Sequence, residues 1–484
     1  MDRSTTLLGA YSWAALGLAV AFLRWPLSNV PGPWYSKFTG SVATYYWLTG
    51  QKPAYVHSLH LIYGPVVRVS PREVYIAAPD DVKSVFHIKN EYPKSKWYLD
   101  FVPFAETIFN TPDVEKHRRL RRLLSSPLSE SGLKSFIPQI DSKVKLAIQR
   151  MREEQESRGV ADIYKWWLFL TTDVIGELSF GESFRMLESG KLNQYASDLQ
   201  IAGEMAAVRT AFPTLFRFIV VYALSVPPFT ESRNVGLRMR NYALESIQRH
   251  RDIVARDGPD AQPTVFTKVW AAEKSDAITP EELRDNAQGY IIAGSDTTSN
   301  TLDYLVWAVC RHPEVQTKLN EELQALPDDF SYQDLRHLHY LDHVINEALR
   351  RYPVAPAGLP REVPPGGGQF SGYHIPAEYT VTTQSFTMHR NLIAFPDPEK
   401  FDPSRWENPT QEMKDCFMPF GNGSRICIGL NLAKIELRLA VARFFKAFPN
   451  ARVSTREGMC DDDMTPGLYF LAGPQGHRCL VELY

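Results

Sequence analysis

The chain holds 484 residues, 44% of them hydrophobic, with 53 basic against 55 acidic side chains and a net charge of −2. That length allows two or three domains and that composition a large core, while the balanced charge excludes a general attraction to nucleic acid. Five cysteines (Cys310, Cys416, Cys427, Cys460 and Cys479) are odd in number and lack zinc-like spacing, which fits a reduced, cytosol-facing catalytic domain.

Residues 4–23 contain no charged side chain, and their core reads LLGAYSWAALGLAVAFL. About twenty helical residues span ~30 Å, the thickness of a hydrocarbon core. No small-residue cleavage site follows, so residues 4–24 read as a transmembrane anchor rather than a signal peptide. Arg24 and Trp25 form a pair suited to a membrane interface. The prolines of WPLSNVPGPW remove helix donors and stiffen the connection, making 25–34 a hinge.

Val66-Val67-Arg68-Val69 and Val74-Tyr75-Ile76-Ala77 are β-rich runs parted by Ser-Pro-Arg-Glu, which predicts a hairpin. Residues 95–112 carry aromatics and prolines without a period and read as a loop. In VEKHRRLRRLL (114–124), His117 and Arg121 stand one turn apart on one helical face. The clustered cations alone suit a solvated helix. Helical patterns recur through 134–255, and 205–226 among them is markedly apolar. Arg209, Pro213 and Arg217 interrupt it, which excludes a full span and suits a segment that dips into a membrane surface. Residues 255–264 read as a surface loop.

Thr279-Pro280-Glu281-Glu282 is a strong helix start, with Thr as N-cap and Glu closing a capping box. No breaker intervenes before His312-Pro313, so a helix of about 32 residues, roughly 48 Å, is predicted. Its centre, AGSDTT (293–298), is poor helix material, since Gly costs ~1 kcal/mol against Ala and paired Thr are unfavourable. The Thr297 hydroxyl can bond the Ala293 carbonyl and loosen the ladder there. Residues 334–352 predict a further helix, with Glu347 and Arg350 adjacent on its surface. Residues 372–376 and 379–383 look like strands joined by a turn, and TPGLYFL (465–471) like the tip of a hairpin.

The most informative stretch is FGNGSRICIG, residues 420–429. Gly421 and Gly423 permit a tight wrap, and Cys427 lies just before a helical pattern whose dipole and amide donors favour a thiolate. Such a thiolate serves as a metal ligand or a nucleophile. F-x-x-G-x-x-x-C-x-G with Arg425 resembles the haem-binding loop of the cytochrome P-450 family. The A-G-x-D-T-T, E-x-x-R and P-x-R-W segments follow the family's order and extend the resemblance over almost the whole chain.

The resemblance implies a mainly α fold with smaller β regions, a single catalytic domain at 35–484, and haem b held by Cys427 as axial thiolate. Phe420 and Gly421 border that ligand. Arg425, Arg121, Arg361 and His117, which replaces the family's usual Trp, would hold the propionates. Lys116, Arg118 and Arg122 would face an acidic redox partner. Small Ala293 and Gly294 would leave room for dioxygen and substrate, and Asp296 and Thr297 would guide protons. Glu347, Arg350 and Arg405 would form a structural cluster. The expected substrate is a lipophilic small molecule, with Phe101, Phe104, Phe109, Phe212, Phe216, Val354, Ala355 and Leu468 lining its pocket.

Electrons would come from NADPH through a separate NADPH-cytochrome P-450 reductase, with the anchor in the endoplasmic reticulum membrane and the catalytic domain in the cytosol. PGPWYSKFTG, VVRVSPREV and GGGQFSGYHIP resemble fungal microsomal members, many of which tailor secondary metabolites. A reductase-independent haem-thiolate isomerase or dehydratase, and a non-catalytic haem-binding protein, are the alternative readings.

Overall fold

A computed structural model of the chain describes residues 26–89, 92–103, 105–222, 226, 229–258, 264–267, 269 and 277–484. The anchor expected at 4–24, the first hinge residue and Phe104 lie outside them. Among the described residues no helix is long and apolar enough to cross a membrane.

A buried arginine fixes the first described segment. Arg68 donates to the carbonyls of Leu27 at 2.6 Å and Val30 at 2.7 Å, and its own N–H reaches Pro31 O at 2.7 Å. These carbonyls replace the water lost on burying the guanidinium. Leu27 and Val30 are themselves buried, so the part of the hinge after residue 26 is docked on the domain. Arg68 belongs to the expected hairpin, in which Val66–Ser70 pairs antiparallel with Glu73–Ile76.

Helices follow in chain order. Within the stretch read as a loop, Trp97–Phe101 forms a short helix, α1. Its Trp97 and Phe101 rings stack at 5.1 Å, so aromatic packing supplies the order that periodicity did not show. Val114–Ser125 is α2, started by the Asp113 carboxylate accepting from the Glu115 and Lys116 N–H groups. Ile137–Arg158 is α3 and Ile163–Phe180 is α4, the latter buried along almost its whole length. The apolar stretch 205–226 contributes to two helices, α5 (Gln194–Ala211) and α6 (Pro213–Val221), parted at Phe212 because Pro213 cannot continue the ladder. Phe229–Asp257 is α7, which carries the helix three residues, 255–257, into the expected surface loop. Residues 259–263 of that loop lie outside the described set.

The capping box at Thr279 forms as the sequence predicts, and α8 runs Pro280–Arg311 for 32 residues. It packs along α4, where Gly294 permits the close approach: a Cβ there would lie 2.6 Å from the Ile175 side chain. The Thr171 hydroxyl seals the crossing by donating to Ser295 O at 2.8 Å. The helix expected over 334–352 is broken. A 3₁₀ turn, Asp334–His337, precedes α9 at His339–Arg351, and the Glu322 carboxylate accepts from the Tyr340 and Leu341 N–H groups. That outside cap satisfies donors at the start of α9 and sets its beginning.

The strand pairings differ from expectation. Tyr373–Ile375 pairs with Gly368–Phe370, whereas Thr380–Thr382 joins the first hairpin, parallel to Glu73–Ile76 and antiparallel to Arg361–Glu362. Pro376 lacks the N–H that would continue the first ladder, and the chain crosses to the larger sheet. Pro466–Leu468 and Ala472–Pro474 form the expected hairpin. Leu430–Ala447 is α10, buried among α3, α8 and α9.

Glu347 and Arg350 are fully buried, joined by two hydrogen bonds of 2.8 Å each. Arg350 also donates to the carbonyls of His389, Pro398 and Lys400. The Glu347 carboxylate accepts from Trp406 Nε1 at 3.1 Å and from the Asp402 N–H at 2.8 Å. Arg405 completes the cluster as a looser ion pair, its Nε 3.5 Å from Glu347.

Candidate active site

The cysteine loop is built by backbone geometry. Gly421 and Gly423 have φ of 73° and 65°, and a Cβ on Gly423 would lie 2.0 Å from Phe86 O. Only glycine fits both demands at position 423. The Cys427 N–H then donates to Phe420 O at 2.9 Å, closing the turn. Burial pushes the Cys427 thiol up, opposed by the Gly429 and Leu430 N–H groups and by the Arg121 guanidinium. Those two amides, at the head of α10, aim donors at the sulfur. Cys427 is nonetheless solvent-accessible. Accessibility at such depth means that the sulfur faces an internal hollow.

The wall formed by α8 shows the same contrast. Ile291, Ser295, Thr298 and Ser299 are buried, whereas Ala293 is exposed in mid-helix. Thr297 Oγ1 donates to Ala293 O at 2.8 Å, as the sequence predicts. Asp296 is half-buried, and burial lifts its carboxyl to about 7. Tyr290, one turn before Ala293, lies within electrostatic reach of both Arg121 and Cys427. Gly294, beside Ala293, is half-buried and also meets α4, where an added Cβ would press on Ile175, so it lets two helices touch.

Cations gather at one side. Arg121 Nη1 donates to Ile426 O at 2.7 Å and Arg425 Nη1 to Thr111 O at 3.1 Å. His117 is buried one turn before Arg121. Arg361 is buried with its guanidinium 4.9 Å from the Phe86 ring centre. Two residues absent from the sequence reading join them. Among the described residues the buried Tyr98 hydroxyl has no hydrogen-bond partner, and burial raises it to about 12 while Arg361 and Arg425 pull it down. Lys94 stands 4.1 Å over the Tyr98 ring and donates to Phe109 O. An orphaned phenol beside guanidinium groups is a fitting partner for carboxylates on a ligand. Of the outward-facing cations expected on α2, Arg118 and Arg122 are exposed, but Lys116 is half-buried against Glu106 at 2.8 Å.

The cytochrome P450 family model matches residues 32–479. The chain belongs to the cytochrome P450 family. It is 44% identical to the cytochrome P450 monooxygenase tazI of Aspergillus terreus over 461 residues, covering 95% of this chain and 94% of that protein. The monooxygenase orf2 of Aspergillus niger is 42% identical, with 94% and 93% covered, and aflV of Aspergillus parasiticus is 30% identical, with 95% and 91% covered. This P450 is therefore a monooxygenase by family, and membership implies a haem carried on a cysteine thiolate. The accessible Cys427 sulfur, its two amide donors and the cationic side with its orphaned Tyr98 hydroxyl fit that group.

The expected substrate lining divides. Phe101 and Phe109 pack with Phe470, at 4.6 and 5.7 Å between ring centres, so the hairpin tip does reach back toward α1. Phe470 makes that contact, and the Leu468 N–H is tied to Gly50 O at 2.8 Å. Phe212 is 44% exposed and points outward, while Phe216 is buried against Ile219 beneath α6. Val354 O accepts from the Ala472 N–H at 2.7 Å and Ala355 O from Ser385 Oγ at 2.6 Å, which anchors both beside the hairpin.

Glu436 was also missed by the sequence reading. It lies nine residues after Cys427 on an apolar face of α10, is buried, and stands beside Thr298 of α8. Burial raises its carboxyl to about 8, so it stays protonated at neutral pH.

Proposed function

We propose that this P450 oxidises a lipophilic small molecule in fungal secondary metabolism, with single electrons from NADPH delivered by a separate reductase. Cys427 holds the haem iron, bordered by Phe420 and Gly421. Arg121, Arg425, Arg361 and His117 bind its propionates, joined by Tyr98 and Lys94. When bound, the haem supplies reductive activation of dioxygen and transfer of one oxygen atom to an unactivated C–H bond. The protein's own groups do the rest. Ala293 leaves space against the hollow, the Thr297 hydroxyl accepts and donates, and Asp296, poised near neutrality, passes protons from water to that hydroxyl. Phe101, Phe109 and Phe470 exclude water from the substrate side.

The single observation that carries this reading is the accessible Cys427 sulfur deep in the fold, with an amide-lined base. In this proposal 4–24 anchors the chain in the endoplasmic reticulum, 25–34 leads from it, and 35–484 is the catalytic domain in the cytosol. Exposed apolar side chains at Trp34, Phe38, Leu215 and Phe218 suit contact with membrane lipid. Substrate is tested by difference spectra of the ferric protein against polycyclic and polyketide-like compounds. A spin-state shift at micromolar compound supports the reading. Product formation without NADPH and reductase favours the isomerase or dehydratase reading instead.

A further inference from the structure

Asp296 needs a path to bulk water if it is to deliver protons repeatedly. Its carboxyl makes no hydrogen bond to a described side chain, and α8 is packed on both flanks, so a bridging route must cross the neighbouring helices. One polar line reaches the surface. Tyr164, in the first turn of α4, has its hydroxyl 3.4 Å from Nδ1 of His477, an exposed residue on the turn after Ala472–Pro474. The two rings meet edge to face at 6.1 Å. Gln200 of α5 stands beside the same phenol, and Asp296 and Asp303 both lie within its electrostatic reach.

Asp303 lies on this same flank. It stands two turns beyond Asp296 on the same face of α8, fully buried, and neither carboxyl oxygen has a hydrogen-bond partner among the described residues. Buried polar atoms in native proteins are rarely left so, and ordered water is the usual partner. Separate waters between Tyr164 and each acid would complete both sets of hydrogen bonds.

We infer that His477, Tyr164 and Gln200 form a proton inlet that connects bulk water to the Asp296 carboxyl. A proton taken up beside His477 moves onto the Tyr164 oxygen as the phenol's own proton leaves through water toward Asp296. Tyr164 ends with one proton, as it began, and only Asp296 changes its charge. Gln200 is a positioning residue: its amide donates to the phenol oxygen and turns the O–H along the line. The inference rests on the reading of Asp296 as proton donor only for its use, not for its existence.

The test is infrared spectroscopy of the ferric holoenzyme at pH 6, mixed rapidly into heavy water. The Asp296 acid carbonyl band, identified as the one lost in Asp296→Asn, shifts as its proton exchanges for deuterium. Tyr164→Phe keeps the ring against His477 and is expected to slow that exchange at least tenfold, with Gln200→Leu and His477→Gln slowing it several-fold. The buried phenol of Tyr195 also lies near Asp296, but among the described residues its hydroxyl has no hydrogen-bond partner to lead to the surface. Tyr195→Phe is therefore expected to leave the rate within twofold. Exchange in Tyr164→Phe at the parental rate or faster overturns the inlet, as does equal slowing by Tyr195→Phe. Separately, Asp296→Asn with unchanged NADPH consumption and coupling would end the catalytic role of Asp296 while leaving the exchange result standing.

Discussion

The two walls of the hollow are made differently. At the cysteine loop the geometry is backbone: two glycines at positive φ, a turn closed by the Cys427 N–H, and two amides facing sulfur. On α8 the ladder is regular in outline, and the distinguishing features are side chains: a hydroxyl bonded back to Ala293 and an acid lifted to about 7. A backbone wall tolerates almost no substitution, because changing one residue moves every donor. A side-chain wall can lose one group and still stand. Structural damage should therefore dominate at the first wall and chemical damage at the second.

The largest effect expected is at the sulfur. Cys427→Ala removes the strongly red-shifted ferrous–CO Soret band entirely, and a variant that keeps the band would break the comparison at its root. Next comes the buried ion pair behind the loop. Glu347→Gln strands the Arg350 charge and is expected to cost about 3–5 kcal/mol in urea unfolding. Gly294→Ala sharpens the contrast within α8, since the new methyl meets Ile175. A loss of about 1–3 kcal/mol in urea unfolding is expected.

Thr297→Ala should leave stability and haem content near parental while product per NADPH falls roughly ten- to a hundredfold and peroxide rises, at the low end of proton-transfer effects. The smallest effect is in pH. Glu436 keeps its proton to about 8 when folded and gives it up near its ordinary value when unfolded. The folded state thus binds more protons between those values, so stability falls as pH rises through that window and levels off above about 8. Glu436→Gln removes that component of the slope, measured by urea midpoints from pH 5 to 8.5.

What was legible in the sequence followed from local chemistry. The capping box at Thr279 and the stop at His312-Pro313 mark α8 to the residue. The glycine pattern marks the loop around Cys427. The misreadings arose where distant chain decides. Glu436 and Tyr98 matter because of neighbours far away in sequence, and neither is distinctive in its own stretch. The 372–383 run reads as one hairpin because nothing local shows that the Glu73–Ile76 edge, some 300 residues earlier, captures Thr380–Thr382. Broken helices at 212 and 338 have local causes in one case, Pro213, and a distant cap from Glu322 in the other.

The guanidinium of Arg68 has a mechanical consequence. By gripping the Leu27 and Val30 carbonyls it turns the start of the domain into a fastened cleat rather than a swivel. Any tether ahead of residue 26 must then leave from one fixed spot beside the first hairpin. With the proposed anchor set in a membrane, the tilt of the catalytic body over the lipid, and with it the direction from which a greasy molecule would approach, would be set in part by one cation 41 residues down the chain from Leu27.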